Sequence, residues 1–201
     1  MASQLTDYFR FAVRFLLKPK VLGAIAPSSR YLVSELTRDV GIETAESLAE
    51  LGPGTGVVTQ RIIDKKTDQC TFVAVEKDEH WVRLLDKRYA DLDLVHGDAA
   101  QLDEYALAKG LKPFDAVICG LPFTVFGEDL QRSILDSISK SIAADGFFTT
   151  FAYVHGRELP AGKRFHRLLE SYFDQVEVSR VIWRNTPPAV VYRACSVKVS
   201  A

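Results

Sequence analysis

Short apolar runs and amphipathic stretches alternate along most of the chain. From Ser47 onward, strand-like runs such as residues 71–76 are each followed by a stretch with apolar residues at helical spacing. Near the C-terminal end, two strand-like runs follow each other with no helix between them. The alternating part predicts a mostly parallel sheet with helices on both faces, and the final pair predicts an antiparallel hairpin.

This pattern assigns bounds to each predicted element, and no repeat or linker divides the chain. We therefore expect one domain over residues 1–201, with a helical segment at 1–38 and the sheet-containing core at 46–201. Asp145-Gly146 is predicted to separate a helix from the fifth strand. The predicted helices span residues 5–18, 31–40, 57–66, 78–90, 100–110, 129–143 and 163–173, and the predicted strands span residues 47–52, 71–76, 93–96, 114–120, 147–153, 176–183 and 189–199.

The N-terminal segment is basic and amphipathic. Residues 1–38 contain six basic and two acidic side chains, and apolar residues cover more than half of the circumference of the predicted helix 5–18. Such a helix can bind an anionic membrane surface, although it could also pack on the sheet, as a lid or as part of the core. We predict membrane docking through the basic stripe and the aromatic face, formed by Phe9, Arg10, Arg14, Phe15 and Lys18.

Composition narrows the class of protein. The formal net charge of -1 gives no bias toward nucleic acid, and no spacing of Cys and His predicts a metal site. Cys70 and Cys119 lie in apolar runs, so we expect buried free thiols of a reducing compartment. The N-terminus lacks the pattern of a secretory signal, and no apolar run is long enough to span a bilayer. These features predict a cytoplasmic protein that meets a membrane only at its surface.

The run from Glu50 to Gly56, with the sequence ELGPGTG, carries the most chemical information. It lies between a predicted strand and a predicted helix, where a nucleotide-binding turn is expected. Glycines allow a sharp turn and a close approach of the ligand. The spacing GxGxG differs from the dinucleotide pattern GxGxxG, and the acidic residue before it suits a ligand with a sulfonium group and no pyrophosphate.

Further candidates follow the next three predicted strands. Glu76 could accept hydrogen bonds from both hydroxyls of a ribose, and Asp98 could accept one from an adenine amino group. Because the carboxyl ends of parallel strands meet at one edge of a sheet, these residues are expected to lie together. The predicted cofactor-binding residues are Glu50, Gly52, Gly54, Thr55, Gly56, Glu76, Lys77, Gly97, Asp98, Ala99 and Gly120.

Over residues 46–153 this constellation resembles the class I methyltransferases. The resemblance implies a Rossmann-like α/β fold with a seven-stranded sheet in the order 3-2-1-4-5-7-6. It also implies S-adenosylmethionine as the cofactor, lying across the carboxyl ends of strands 1 to 4. The final hairpin, which the hydrophobic pattern predicts independently, would supply strands 6 and 7.

The run GLPF follows the fourth strand and resembles the NLPY motif of rRNA adenine dimethyltransferases. Gly120 stands where that motif has Asn, whose amide would bind a planar exocyclic amine. The substitution disfavours an adenine target and is compatible with an aliphatic amine. The alternative is a plain proline-containing loop. We expect Leu121, Pro122 and Phe123 to contact the methyl acceptor.

Three segments resemble the bacterial phosphatidylethanolamine N-methyltransferases: residues 15–32, 120–123 and 182–193. The resemblance implies stepwise methylation of phosphatidylethanolamine toward phosphatidylcholine, at the inner face of the cytoplasmic membrane. Arg184 and Asn185 could then hold the lipid phosphate, although they could equally form a solvated turn.

Tyr153 and His155 follow the fifth strand and are the candidate catalytic groups that could accept the proton of the amine. A core tyrosine and a solvated histidine are the alternatives.

Two other functions of the protein stay open: an rRNA adenine dimethyltransferase, which the net charge disfavours, and a membrane-remodelling protein on a methyltransferase scaffold.

Overall fold

Helices and strands alternate through residues 28–198, which are the residues that the computed structural model describes. The docking helix predicted at residues 5–18, with Phe9, Arg10, Arg14, Phe15 and Lys18, lies outside them. Short 3₁₀ turns at Ala99–Gln101 and Phe123–Val125 each lie between a strand and the helix that follows it in the chain. The helices are α1 (Arg30–Leu36), α2 (Val57–Ile63), α3 (Glu79–Arg88), α4 (Leu102–Ala108), α5 (Glu128–Ser141), α6 (Val154–Arg157) and α7 (Pro160–Tyr172), and the strands are β1 (Ser47–Leu51), β2 (Thr71–Glu76), β3 (Asp93–His96), β4 (Phe114–Cys119), β5 (Ile142–Tyr153), β6 (Phe173–Val178) and β7 (Ala189–Val197).

All seven strands join one sheet in the order β3-β2-β1-β4-β5-β7-β6. Strands β1 to β5 pair in parallel, whereas β7 is antiparallel to both β5 and β6. Every residue of β1 is buried, as expected of a strand covered by helices on both faces. This arrangement confirms the predicted Rossmann-like fold with its C-terminal antiparallel pair.

Two hydrophobic cores lie on opposite faces of the sheet. One contains the apolar faces of α1 and α2, including Leu36 and Ile62. The other contains those of α4, α5 and α7, including Leu102, Leu135 and Phe165. Because both faces are covered, the edge at the carboxyl ends of the strands is where polar side chains can gather around a ligand.

Some predicted bounds are wrong near the C-terminal end. Strand β6 begins at Phe173, directly after α7, because the buried ring of Phe173 stacks on Phe148 in the core. The strand predicted to run to residue 183 ends at Val178, and after it Ser179 and Ile182 still form hydrogen bonds with β7. Strand β5 begins at Ile142, and its pairing with β4 shifts register around the predicted turn at residues 145–146.

Two expectations from composition can be compared with the structure. Cys70 and Cys119 are buried and free, as predicted. Within the described residues, no helix combines the length and apolar character needed to cross a membrane.

Candidate active site

The carboxyl ends of the parallel strands form one edge of the sheet, and strand β5 extends beyond the others at this edge. Leu51 of β1 pairs with Cys119 of β4, and Cys119 pairs in turn with Thr150 of β5. Strand β5 continues to Tyr153, three residues further. At about 3.3 Å per residue, Tyr153 and its successors in the chain rise roughly 10 Å above the end of β4. The site therefore has a floor at the ends of β1 to β4 and a wall at the end of β5.

The glycine turn after β1 leaves open space at Gly54. The residue has φ +53, and a Cβ built on it would meet no atom within 4 Å. Its N–H donates to Oε2 of Glu76 at 3.0 Å. Thr55 and Gly56 lead into α2, and their carbonyl oxygens accept hydrogen bonds from Arg88 and Tyr89 at the end of α3. The turn is therefore held in place while its surface at Gly54 stays open to a ligand.

The carboxylate of Glu76 is buried and bound by backbone. Besides Gly54, the N–H groups of Lys77 and Asp78 donate to Oε1, both at 2.9 Å. Burial raises the pKa of Glu76, and these three hydrogen bonds oppose that shift. The side chain is thereby fixed at the end of β2.

Glu50 lies beneath the glycine turn, 1% exposed. Its Oε2 accepts a hydrogen bond from the Thr59 hydroxyl of α2 at 2.7 Å. Burial, with a smaller contribution from the charge of Glu76, raises the pKa of Glu50 to about 8. Our prediction did not include Thr59, although a polar residue on the buried face of α2 was a usable signal.

The third strand end carries an ion pair. Lys77 Nζ lies 2.6 Å from Oδ2 of Asp98, whose Oδ1 accepts the Ala100 N–H at 3.1 Å. The Asp98 N–H donates to the Tyr105 hydroxyl at 3.0 Å, and that ring packs against Gly97. Ala99 is buried at the start of the 3₁₀ turn. The structure thus places the predicted residues of β1, β2 and β3 along one continuous edge.

The loop after β4 is tied to the glycine turn. Gly120 donates to the Leu51 carbonyl at 2.8 Å, and a Cβ on Gly120 would lie 2.7 Å from the Gly52 oxygen. Glycine is therefore required here for close approach of two backbones. Leu121 is half-buried against Gly52, and Pro122 is buried.

The structure corrects the prediction for Phe123. Its ring is fully buried and stacks on Phe165 at 4.4 Å between centroids, so it belongs to the core and not to the open edge. The buried amide of Gln131 donates to the Phe123 carbonyl at 2.7 Å, and Arg164 donates to Gln131. These two polar side chains position the loop, and no sequence motif indicated them.

Tyr153 and His155 form a pair on the wall of the site. Their rings are parallel, 4° apart in orientation, with centroids 5.8 Å from each other. Tyr153 is half-buried and burial raises its pKa, whereas His155 is exposed at the start of α6. Both residues lie at the end of β5, and their catalytic role stays a prediction.

Arg184 and Asn185 do not form a joint phosphate site. Asn185 is buried; its Oδ1 accepts the Ser29 N–H at 3.0 Å and its Nδ2 donates to the Pro187 carbonyl at 2.7 Å. Both the oxygen and the nitrogen of the side-chain amide are therefore used to hold the β6–β7 connection against the start of α1. The predicted role of Asn185 in binding lipid phosphate is corrected accordingly.

Arg184 instead belongs to a group that we call the Tyr31 cluster, formed by Arg30, Tyr31 and Arg184. Both guanidinium groups donate to the Tyr31 hydroxyl, at 2.9 Å from Arg30 and 2.7 Å from Arg184. Both also lie over the ring, 4.9 and 5.0 Å from its centroid. The two arginines lower the pKa of Tyr31.

Residues 28–198 contain no cluster of His, Cys, Asp and Glu that could hold a metal ion.

Comparisons with known proteins agree with this geometry. No family model matches the chain. It is 33% identical over 199 residues to the ornithine lipid N-methyltransferase of Singulisphaera acidiphila, covering 96% of this chain and 98% of that one. It is 32% identical over 120 residues to ribosomal RNA small subunit methyltransferase A of Deinococcus radiodurans, a match that spans 35% of that protein.

Two solved structures of methyltransferases have the same fold. A putative O-methyltransferase from Klebsiella pneumoniae superposes with a TM-score of 0.70 at 12% identity, covering 96% of this chain and 99% of that chain. The O-methyltransferase TomG from Streptomyces achromogenes, in complex with S-adenosylmethionine, superposes with a TM-score of 0.69 at 16% identity, covering 94% and 90%. These likenesses identify the fold as that of the Rossmann-like methyltransferases.

Proposed function

Because the chain belongs to the family of the ornithine lipid N-methyltransferase, we propose that it methylates the primary amine of a membrane lipid headgroup. The chain is an S-adenosylmethionine-dependent methyltransferase, and our proposal concerns the methyl acceptor, which we take to be a lipid amine. The observation that carries this proposal is the 33% identity over 96% of the chain, which includes the acceptor side of the site as well as the glycine turn.

The residues at the ends of β1 to β3 fit the cofactor. When bound, S-adenosylmethionine supplies an electrophilic methyl group on a positively charged sulfur. The open face at Gly54 leaves room for it, and the positive charge of the sulfur would favour the ionised form of the buried Glu50 and Glu76 carboxyls nearby. Glu76 would hold the ribose hydroxyls, and Asp98 would accept from the adenine amino group.

On the acceptor side, the amine must lose a proton before its lone pair can attack the methyl group. The raised pKa of Tyr153 keeps its phenol protonated at neutral pH, so it can donate a hydrogen bond but cannot act as the base. The exposed imidazole of His155 can accept the proton and pass it to water. The stacked rings of the two residues can also hold a methylated ammonium by cation–π attraction.

Two lipid headgroups carry the required primary aliphatic amine. The ornithine headgroup is favoured because the match to the ornithine lipid N-methyltransferase extends over 96% of this chain and 98% of that one. The phosphatidylethanolamine headgroup, with stepwise methylation to phosphatidylcholine, is supported by the resemblance of residues 15–32, 120–123 and 182–193. Either lipid would be reached from the cytoplasmic side by peripheral association through the basic segment at residues 1–38.

A methylation assay with detergent micelles tests the proposal. We expect release of adenosylhomocysteine with micelles that contain ornithine lipid, weaker release with phosphatidylethanolamine, and none with phosphatidylcholine, which has no free amine. Mass spectrometry of the lipid counts the methyl groups that are added. Turnover with an rRNA fragment, and none with either amine lipid, would refute the lipid assignment in favour of the RNA activity suggested by the partial match.

A further inference from the structure

Large apolar side chains are exposed mainly at one end of the molecule. In residues 28–198 there are four of them, and three lie in connections at the carboxyl edge of the sheet: Val125 after β4, Leu159 after α6 and Trp183 between β6 and β7. Trp183 is 74% exposed. The fourth, Leu107, lies at the end of α4 and therefore toward the opposite edge. An exposed tryptophan at the edge of the sheet that carries the site is typical of contact with a membrane interface.

Positive charge accompanies Trp183. The two guanidinium groups of the Tyr31 cluster converge on one phenol oxygen, although like charges repel. No carboxylate of the described residues lies within ion-pair distance of Arg30 or Arg184. Residues 179–188 also carry Arg180 and no acidic residue. An anion that bridges the two exposed guanidinium groups would relieve their repulsion.

We propose that Trp183 and the Tyr31 cluster form a membrane-docking surface that binds the phosphates of an anionic phospholipid bilayer. Trp183 would insert at the level of the headgroups, and Arg30 and Arg184 would bind lipid phosphate. This inference rests on the proposed function, because a surface at the carboxyl edge brings a lipid amine to the methyl-transfer site without extracting the lipid.

The surface has a rigid support. Buried Asn185 joins the β6–β7 connection to Ser29, and Ser179 exchanges hydrogen bonds with Val191 of β7 at 2.9 Å. A tryptophan on such a fixed connection can insert without a cost of ordering the loop.

Flotation with vesicles of phosphatidylcholine and phosphatidylglycerol tests the surface, and neither lipid has a primary amine. Trp183→Ala should lower the vesicle partition coefficient at least about tenfold, from the loss of a buried aromatic side chain. Arg30→Gln and Arg184→Gln should each lower it about fivefold at low salt, and less at high salt. The matched controls Leu107→Ala and Arg83→Gln, both exposed and outside the surface, should bind as the unchanged protein does.

Calorimetric titration with S-adenosylmethionine shows whether each variant is folded. Unchanged vesicle binding by Trp183→Ala and Arg184→Gln would overturn the inference, as would absence of vesicle binding by the unchanged protein. A further variant replaces Arg10, Arg14 and Lys18 by Glu. If this variant loses all vesicle binding while Trp183→Ala has no effect, docking belongs to the N-terminal segment and the inference is again overturned. Methylation in micelles is read separately: if it persists while docking fails, the proposed function stands without this surface.

Discussion

The two halves of the carboxyl edge are built differently. At the ends of β1 to β3, which we call the cofactor half, the carboxylates of Glu50 and Glu76 are buried and hydrogen-bonded by Thr59 and by backbone N–H groups. At the ends of β5 and β6 and the start of β7, which we call the acceptor half, His155 and Arg184 are exposed and contact other side chains. A preformed pocket suits a ligand that is the same in every turnover, whereas exposed side chains suit a substrate that arrives within a membrane.

The largest expected effect on ligand binding comes from a substitution in the cofactor half alone. Gly54→Val puts a β-branched residue at φ +53 and fills the open space in which the ligand must lie. We expect S-adenosylmethionine affinity to fall at least about a hundredfold, roughly 3 kcal/mol, in calorimetric titration. Vesicle binding should be unchanged, because the acceptor half is untouched.

Gly110→Val is the matched control for Gly54→Val. Gly110 has φ +62 and equally open surroundings, but it follows α4, away from the site. Both variants should lose similar stability from backbone strain, about 1–2 kcal/mol. Only Gly54→Val should lose the cofactor, and an equal loss of affinity in both would attribute the effect to strain.

A second substitution tests the boundary between core and acceptor half. Phe123→Ala removes a fully buried ring that stacks on Phe165, so the free energy of unfolding should fall by about 3–5 kcal/mol in urea denaturation. Val125→Ala, at an exposed position in the same 3₁₀ turn, should change it by less than about 0.5 kcal/mol. If Phe123→Ala keeps its stability and loses only turnover, the ring contacts the acceptor after all.

The same contrast explains how much the sequence could predict. The cofactor half could be predicted from the sequence because its backbone geometry requires particular residues. The positive φ at Gly54 and the close approach of two backbones at Gly120 both require glycine, and these glycines stand at a recognisable spacing. The strand order also followed, once the run ELGPGTG was matched to class I methyltransferases. Fold and cofactor were therefore accessible from local pattern.

The acceptor half was less readable because its contacts join distant segments. Arg184 meets Tyr31 across 153 positions, and Asn185 meets Ser29 across 156. No local spacing encodes such pairs, so Asn185 was mistaken for a ligand-binding residue and Tyr31 was missed. Phe123 was misplaced for a related reason, since an aromatic residue after a strand end can turn either to the site or to the core, and packing against α7 decides.

The smallest expected effect concerns the buried acid of the cofactor half. The pKa of Glu50 is about 8 in the folded protein, against an ordinary value of 4.5. Between these values the folded state keeps a proton that the unfolded state has lost, so the free energy of unfolding should fall as pH rises from about 5 to 8. One unit of pKa difference corresponds to about 1.4 kcal/mol. Glu50→Gln cannot titrate and can still accept the Thr59 hydrogen bond, so its stability relative to the unchanged protein should increase over this range by at least about that amount.

Glu46→Gln provides the control because Lys112 lowers the pKa of this exposed carboxyl. Glu46 is thus mostly ionised in both states between pH 5 and 8, and its substitution should give a difference that hardly changes with pH. Thermal denaturation without cofactor at several pH values measures both variants. Parallel curves for Glu50→Gln and the unchanged protein would mean that Glu50 is ionised when folded. In that case Glu50 would carry a buried negative charge before any ligand binds, and the cofactor half would contrast still more strongly with the arginines of the acceptor half.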